Sequence, residues 1–218
     1  DSDGNAASTT NGAGESASYT YDKNGKVTSV TISREEDGKT LTFTSHYSYN
    51  AAGDIAESID NAGNVTKYEY DDNGNQTASV DAKGRRTTYR YDDLGNMTKT
   101  MYPDGTFESF TYDANGNCTA MTDALGNTTR YVYDEQGRLV SATDANGGVT
   151  RYEYTTAGKL VKITDADGNV QTYEVNGNGF NTVESDWMGN LTRYTYDTQS
   201  NVTSVTDPLG NQTLYTYD

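Results

Sequence analysis

One pattern constrains this chain more than any other. The pair Tyr-x-Tyr recurs with its second position at 49, 70, 91, 112, 133, 154, 175, 196 and 217, so every interval is 21 residues. An earlier copy, Tyr19 and Tyr21, lies 28 residues before Tyr47 and Tyr49, one repeat plus seven. Of the 20 aromatic slots, 18 hold Tyr, one holds Phe110 and one holds Val175. The chain has 19 tyrosines and only Tyr102 falls outside the pattern, so tyrosine is specified by the repeat. A fixed short period predicts an array in which each unit buries its face against its neighbours.

Each period has two turns. Glycine recurs at 53, 74, 95, 116, 137, 158 and 179 in the first turn. In the second it recurs at 63, 84, 105, 126, 147, 168, 189 and 210, and Ser200 replaces it once in the first-turn series. The usual unit is Asp-x-x-Gly, with Asn50, Thr155 and Asn176 among the substitutes. Asp accepts local backbone N–H groups, and Gly tolerates positive φ. Gly74, Gly84, Gly95, Gly105, Gly116, Gly126, Gly137 and Gly147 are therefore predicted turn residues.

Between the turns lie six or seven residues rich in Thr, Tyr, Val and Ile, which are strand formers. In Thr66-Lys67-Tyr68-Glu69-Tyr70, period two places Thr66, Tyr68 and Tyr70 on one face, with Lys67 and Glu69 on the other. The predicted aromatic ladder is Tyr47, Tyr49, Tyr68, Tyr70, Tyr89, Tyr91, Phe110, Tyr112, Tyr131, Tyr133, Tyr152, Tyr154, Tyr173, Tyr194, Tyr196, Tyr215 and Tyr217. The second strand of each repeat is less regular. Val27, Ile55, Met97, Cys118, Leu139, Leu160 and Val202 share one position, and Val30, Met121, Ile163 and Val205 share another three residues later. An odd separation puts the two on opposite faces of an ideal strand, so either both faces are partly buried or a bulge intervenes.

The seven extra residues predict a lengthened hairpin over about residues 31–44, joined across Glu35-Glu36-Asp37-Gly38. Asn11-Gly12-Ala13-Gly14 falls in register with a second turn, so the array is expected over residues 11–218. Residues 1–10 are expected to be a disordered segment or linker. The last residues, Tyr217-Asp218, stop in mid-repeat, as in a piece of a longer array.

Composition narrows the chemistry. Hydrophobic residues make up 33%, against about 45–50% in globular domains when Gly is counted. Tyrosine must therefore supply much of what is buried. The net charge of −16 argues against nucleic acid and against anionic lipid. No stretch approaches the ~18 apolar residues of a membrane-spanning helix. With one cysteine and one histidine, an intrachain disulfide and a His-rich metal site are excluded.

Several residues invite a functional reading. A tyrosine ladder could serve as a platform for sugar rings, or the rings bury and their hydroxyls find partners. Asp113-Ala114-Asn115-Gly116-Asn117 and Asp165-Ala166-Asp167-Gly168-Asn169 resemble half of a calcium loop. They place Gly at position four and lack the closing Glu, which favours turn chemistry. Glu35, Glu36 and Asp37 cluster on a hairpin tip without a cleft. His46 has no nucleophile or acid placed with it, and Cys118 occupies an apolar slot. Trp187 sits in a turn. No catalytic residue, metal ligand or cofactor site is expected.

Tyr131-Val132-Tyr133-Asp134-Glu135-Gln136-Gly137-Arg138-Leu139 resembles the Y-x-Y-D-x-x-G-R-L signature of the YD-repeat, or RHS-repeat, family. Tyr89 to Asn96, Phe110 to Asn117 and Tyr194 to Asn201 are close variants. The resemblance covers about residues 11–218. It implies an all-β fold of 21-residue repeats, each two antiparallel strands and two turns, that spirals into a hollow shell, of which this chain is an open, curved segment. The family includes bacterial polymorphic toxins, cocoon-forming toxin-complex subunits, wall-associated proteins and animal teneurins. In the toxins the shell encloses a C-terminal effector released by an aspartyl-protease-like segment. Asp207-Pro208-Leu209-Gly210-Asn211 looks superficially like part of that segment, but Asp207 and Gly210 are in register as an ordinary turn, so no protease residue is carried over.

The resemblance implies a non-catalytic structural segment of a secreted or surface bacterial protein. Its implied partners are neighbouring repeats of a longer parent chain and an enclosed effector. The alternative is a cell-surface glycan-binding or self-assembling adhesion module, associating through open sheet edges.

Overall fold

The computed structural model describes residues 6–217, and all their regular secondary structure is β-strand. The chain divides into two compact units, one up to Glu108 and one from Ser109 onward. The first contains β1 (Ser8–Thr10), β2 (Ser16–Tyr21), β3 (Val27–Glu36), β4 (Lys39–Tyr49), β5 (Ile55–Ile59), β6 (Val65–Tyr70), β7 (Gln76–Val80), β8 (Arg86–Tyr91) and β9 (Met97–Met101). The division falls within β10 (Phe107–Tyr112). The second unit continues with β11 (Cys118–Thr122), β12 (Thr128–Tyr133), β13 (Leu139–Thr143), β14 (Val149–Tyr154) and β15 (Leu160–Thr164). It ends with β16 (Val170–Val175), β17 (Asn181–Ser185), β18 (Leu191–Tyr196), β19 (Val202–Thr206) and β20 (Gln212–Leu214).

Within each unit every strand pairs antiparallel with its chain neighbours, giving the expected two strands and two turns per repeat. Neither unit closes on itself: among the described residues β1 pairs with β2 alone, and β20 with β19 alone. Of the segment expected as a linker, residues 1–5 lie outside the described residues, and Ser8–Thr10 form β1, exposed throughout. The seven-residue insertion lengthens β3 and β4, which pair from Ser29↔His46 to Glu36↔Lys39. The hairpin tip is tighter than the four residues of the sequence reading. Only Asp37 and Gly38 leave the ladder, with φ of 51° and 72°, the two positive values a type I′ turn requires.

The turns close on the aspartate. In Asp71-Asp72-Asn73-Gly74-Asn75, the Gly74 N–H donates to the Asp71 carbonyl at 3.1 Å. The Asp71 N–H donates to the Asn75 carbonyl at 3.0 Å. Asp71 Oδ1 accepts the N–H groups of Asn73 and Asn75, both at 2.9 Å, and Oδ2 accepts the Asn75 side-chain amide at 3.0 Å. Asp113, Asp123, Asp165, Asp186, Asp197 and Asp207 make the same set of bonds. The glycine stands in the left-handed region, and where Ser200 replaces it φ is still 73°. A side chain there is strained, so Ser200→Gly is expected to raise stability by about 1 kcal/mol. A higher urea midpoint checks this; a lower one would mean that the serine side chain stabilises its turn.

A bulge in every second strand settles the face assignment. Tyr112 opposes Cys118 and Thr111 opposes Ala120, so Thr119 is skipped; Phe110 then opposes Met121. The same shift recurs at Tyr21, Tyr49, Tyr70, Tyr91, Tyr133, Tyr154, Val175 and Tyr196. One extra residue turns an odd separation into an even one. Both apolar positions, such as Cys118 and Met121, therefore share the tyrosine face.

Burial is shallow. Among the described residues the buried hydrophobics are Ala78 and Val183, and no large side chain is fully buried. Ala78, Val183 and Ser204 share one repeat position, opposite Glu69, Glu174 and Thr195, hence on the face away from the tyrosines. The tyrosines are half-buried and the residue between each pair is exposed in most repeats, as in Tyr68-Glu69-Tyr70.

Candidate functional site

The groups that repeat with the period are the tyrosine hydroxyls, the turn carboxylates and the residue after the first-turn glycine. Many of the hydroxyls bond to a neighbouring strand, and the turn carboxylates bond their own loops. The second tyrosine of a pair donates its hydroxyl backwards: Tyr70 to the Ile55 carbonyl, Tyr91 to Gln76, Tyr133 to Cys118 and Tyr154 to Leu139, each at 2.9 Å. Tyr196 does the same to Asn181 at 2.7 Å and Tyr217 to Val202 at 2.9 Å. The register explains the target. The β11–β12 ladder starts at Ala120↔Arg130, so the carbonyl of Cys118 lies beyond it and would lack a ladder partner. A buried or half-buried carbonyl needs a donor, and the hydroxyl supplies one. At Val175 the corresponding carbonyl is that of Leu160, and valine has no donor to offer.

The first tyrosine of each pair has a looser requirement. Tyr68 meets Ser58 Oγ at 3.0 Å and Tyr89 meets Ser79 Oγ at 3.2 Å. These are side chain to side chain bonds, and Phe110 at this slot forgoes one without orphaning a backbone group. Tyr194 is held furthest from its ordinary behaviour: burial, then a hydrogen bond to Glu184, pushes its hydroxyl up to about 12.

Successive tyrosine pairs lie two strands apart, about 10 Å at ~4.8 Å per strand, beyond the ~4.5–7 Å of a ring pair. The residue after the first-turn glycine fills that gap. The Arg138 guanidinium sits 4.9 Å from the Tyr154 ring centroid. It also bonds Asp134 Oδ2 through Nε at 2.7 Å and the Thr155 carbonyl through Nη1 at 3.1 Å. Lys26 lies 5.0 Å from the Tyr49 ring and donates to the Gly53 carbonyl. Phe180 takes the same place by stacking on Tyr196 at 5.3 Å. Each of the three covers the next repeat's tyrosine, through a cation over the ring or a second ring, and Arg138 closes its own turn as well.

The RHS Repeat family profile matches residues 1–34, 49–85, 70–106, 112–149, 133–170, 182–212 and 196–218. This chain belongs to the RHS repeat family. No curated protein matches it. Among solved structures it is similar to TcdB2-TccC3, with 16% identity over 89% of this chain and 15% of that one, at a TM-score of 0.49. TcdB2-TccC3-Cdc42 gives 16% identity over 88% and 14%, at a TM-score of 0.48. A Tc holotoxin pore from Photorhabdus luminescens gives 16% identity over 93% and 15%, at a TM-score of 0.38. The chain spans about one seventh of the length of these structures.

The remaining sequence candidates fall at separate places in the RHS repeats. The Asp113 and Asp165 carboxylates of the calcium-like turns are spent on their own loops. Hydrogen bonds from the Asn117 side chain and backbone hold Asp113 below the usual carboxylate range, and Asn169 does the same for Asp165. Among the described residues no cluster of three metal-ligating side chains occurs. Glu36 pairs with Arg34 at 2.9 Å, and Glu35 accepts from Thr40 across the hairpin. The Cys118 thiol donates to the Ala120 carbonyl at 3.4 Å beside the bulge. His46 lies in β4 opposite Ile59, with no acid bonded to it among the described residues. Trp187 is 44% exposed at its turn, beside Met188 at 85%.

The sequence reading missed two functional assignments. The residue after the first-turn glycine was visible as the Arg of the signature, but its contact with the next repeat is not encoded in its own repeat. The bond from the second tyrosine's hydroxyl to a carbonyl 15 residues back is set by strand pairing and has no signal within one repeat.

Proposed function

We propose that this chain is a non-catalytic structural segment of an RHS shell, one that encloses or displays an effector domain within a larger secreted or surface protein of bacterial origin. The observation that carries this reading is the use of the repeated polar groups. The hydroxyls of Tyr70, Tyr91, Tyr133, Tyr154 and Tyr196 satisfy backbone carbonyls, and the turn aspartates satisfy their own loops. Groups committed to holding one repeat on the next are unavailable for turnover. The same commitment disfavours the tyrosine face as a sugar platform, because its best donors already have acceptors. Family membership supports the shell, and the 21-residue period supports continuation into neighbouring repeats of a parent chain.

Limited proteolysis of the parent chain tests enclosure. The repeats and the domain they enclose are expected to resist protease together and to become sensitive together when the repeats are unfolded. Cleavage of that domain at the rate of its isolated form, with the repeats still folded, would leave no room for enclosure.

A further inference from the structure

Three arginines of the second unit take no part in the networks above. Arg130 on β12, Arg151 on β14 and Arg193 on β18 share one repeat position, directly before a tyrosine pair and so on the opposite face. All three are exposed, and among the described residues their guanidinium groups make no ion pair or hydrogen bond. By contrast, Arg138 and Lys162 of the same unit are paired, with Asp134 and Glu153. A chain of net charge −16 has carboxylates to spare, yet these three cations are left unpartnered in a row.

The register lines one side of the row with hydroxyls, while Ala120, Ser141 and Val183 face it from the other side and Glu153 lies two residues from Arg151 on the same face. Arg130 is opposite Thr143, Arg151 opposite Thr164 and Arg193 opposite Thr206. Thr172 holds the intervening position on β16. At one end the surface is concave: a depression of about 430 Å³ is lined by Leu191, Arg193, Thr206 and Pro208 among others. It brings together a cation, a hydroxyl and the apolar side chains of Leu191 and Pro208; Asp207 lines it too, its carboxylate bonded to Leu209 and Asn211 of its own turn.

We propose that this face of the second unit binds a linear anionic polysaccharide, with its carboxylate or sulfate groups on Arg130, Arg151 and Arg193. A guanidinium fork matches either anion with two parallel hydrogen bonds. Positions in the row repeat every two strands, about 10 Å at ~4.8 Å per strand. A pyranose unit in an extended glycan advances by close to one strand spacing, so a charge on alternate sugars keeps step with the row. The sugar hydroxyls meet threonines, and the ring faces meet Leu191 and Pro208. An extended acidic peptide fits less well, because its same-side carboxylates recur about every 6.8 Å. Peptides in that conformation are recognised chiefly by addition to a sheet edge. The nearest carboxylates are already engaged, Glu153 with Lys162 and Asp207 with its own turn, and those farther than about 8 Å are screened at physiological salt. Binding therefore rests on contacts at the row and not on long-range attraction.

Calorimetry on the intact chain tests this with four probes: oligogalacturonate, heparin oligosaccharide, uncharged dextran and poly-glutamate. At least one anionic glycan is expected to bind, more weakly as salt rises, while dextran does not. Carboxylate and sulfate chemistry are distinguished by which of the first two binds. The triple variant Arg130→Gln, Arg151→Gln, Arg193→Gln should bind about tenfold or more weakly, with an unchanged melting curve because the side chains are exposed. Arg151→Gln alone should lose a smaller share of the affinity. No heat with either glycan, or undiminished binding by the triple variant, overturns the proposal. Poly-glutamate binding as tightly as the glycans, with the same arginine dependence, replaces the polysaccharide with an acidic protein segment.

Discussion

Raising the pH from about 10 to 12 is expected to unfold this protein in one cooperative step, well before backbone chemistry intervenes. Burial raises the hydroxyls of Tyr49, Tyr70, Tyr91, Tyr133, Tyr154, Tyr173, Tyr194 and Tyr196 above their ordinary value, Tyr194 to about 12. A raised tyrosine means that the folded state prefers the neutral, hydrogen-donating form. Below about pH 10 both folded and unfolded chains keep the proton, and the full contribution is present. Above it the unfolded chain releases protons that the folded chain retains, so stability falls as pH rises towards the folded values. The effect is large because the same loss recurs in nearly every repeat. A late fraction of the tyrosinate absorbance, that of these eight residues, should appear only as the far-UV circular dichroism is lost. All of the tyrosinate appearing near pH 10 with the sheet intact would mean that the hydroxyls do not hold the repeats. The acid limb has the opposite sign: hydrogen bonds hold Asp71, Asp113 and Asp197 below the usual range. Their contribution is present above about pH 4 and is lost as pH falls below it.

Tyr133→Ala is expected to destabilise the array by about 3 kcal/mol, near the lower end for a large aromatic because the ring is half-buried. Two losses add in this variant. The ring leaves the apolar contact opposite Leu139, and the Cys118 carbonyl loses its donor. Tyr133→Phe separates them: it keeps the ring and removes only the hydrogen bond, for about 1 kcal/mol. Glu135, exposed in the turn, should change stability by less than about 0.5 kcal/mol when replaced by Ala. Urea midpoints of the three variants give the ranking. Equal and negligible shifts for all three would contradict a tyrosine-held array, and Phe costing as much as Ala would mean that the hydroxyl carries the whole effect.

Much of the fold was legible because it is local and repeated. A turn needs only its own aspartate and its own glycine, so Asp71 and Gly74 announce it within four residues. Strand character follows from Thr, Tyr and Val between such turns. The long hairpin could be read from seven extra residues around Asp37-Gly38. The limit of its tip was not readable, because the ladder extends inward until backbone pairing, not sequence, stops it at Glu36↔Lys39.

The sequence by itself determined the period, the strand-and-turn alternation, and the presence of tyrosine on one face, because each depends on spacing along a single repeat. Tertiary structure alone decided where those features act. Thr119 is skipped only because Tyr112 and Cys118 pair across strands, and that skip puts Cys118 and Met121 on one face. The Tyr133 hydroxyl reaches a carbonyl 15 residues back, and Arg138 covers a ring 16 residues ahead. The Arg130, Arg151 and Arg193 row exists only once pairing through the intervening strands sets β12, β14 and β18 in register. Contacts between repeats are set by pairing geometry, and a linear pattern records which residues are available for them but not which ones meet.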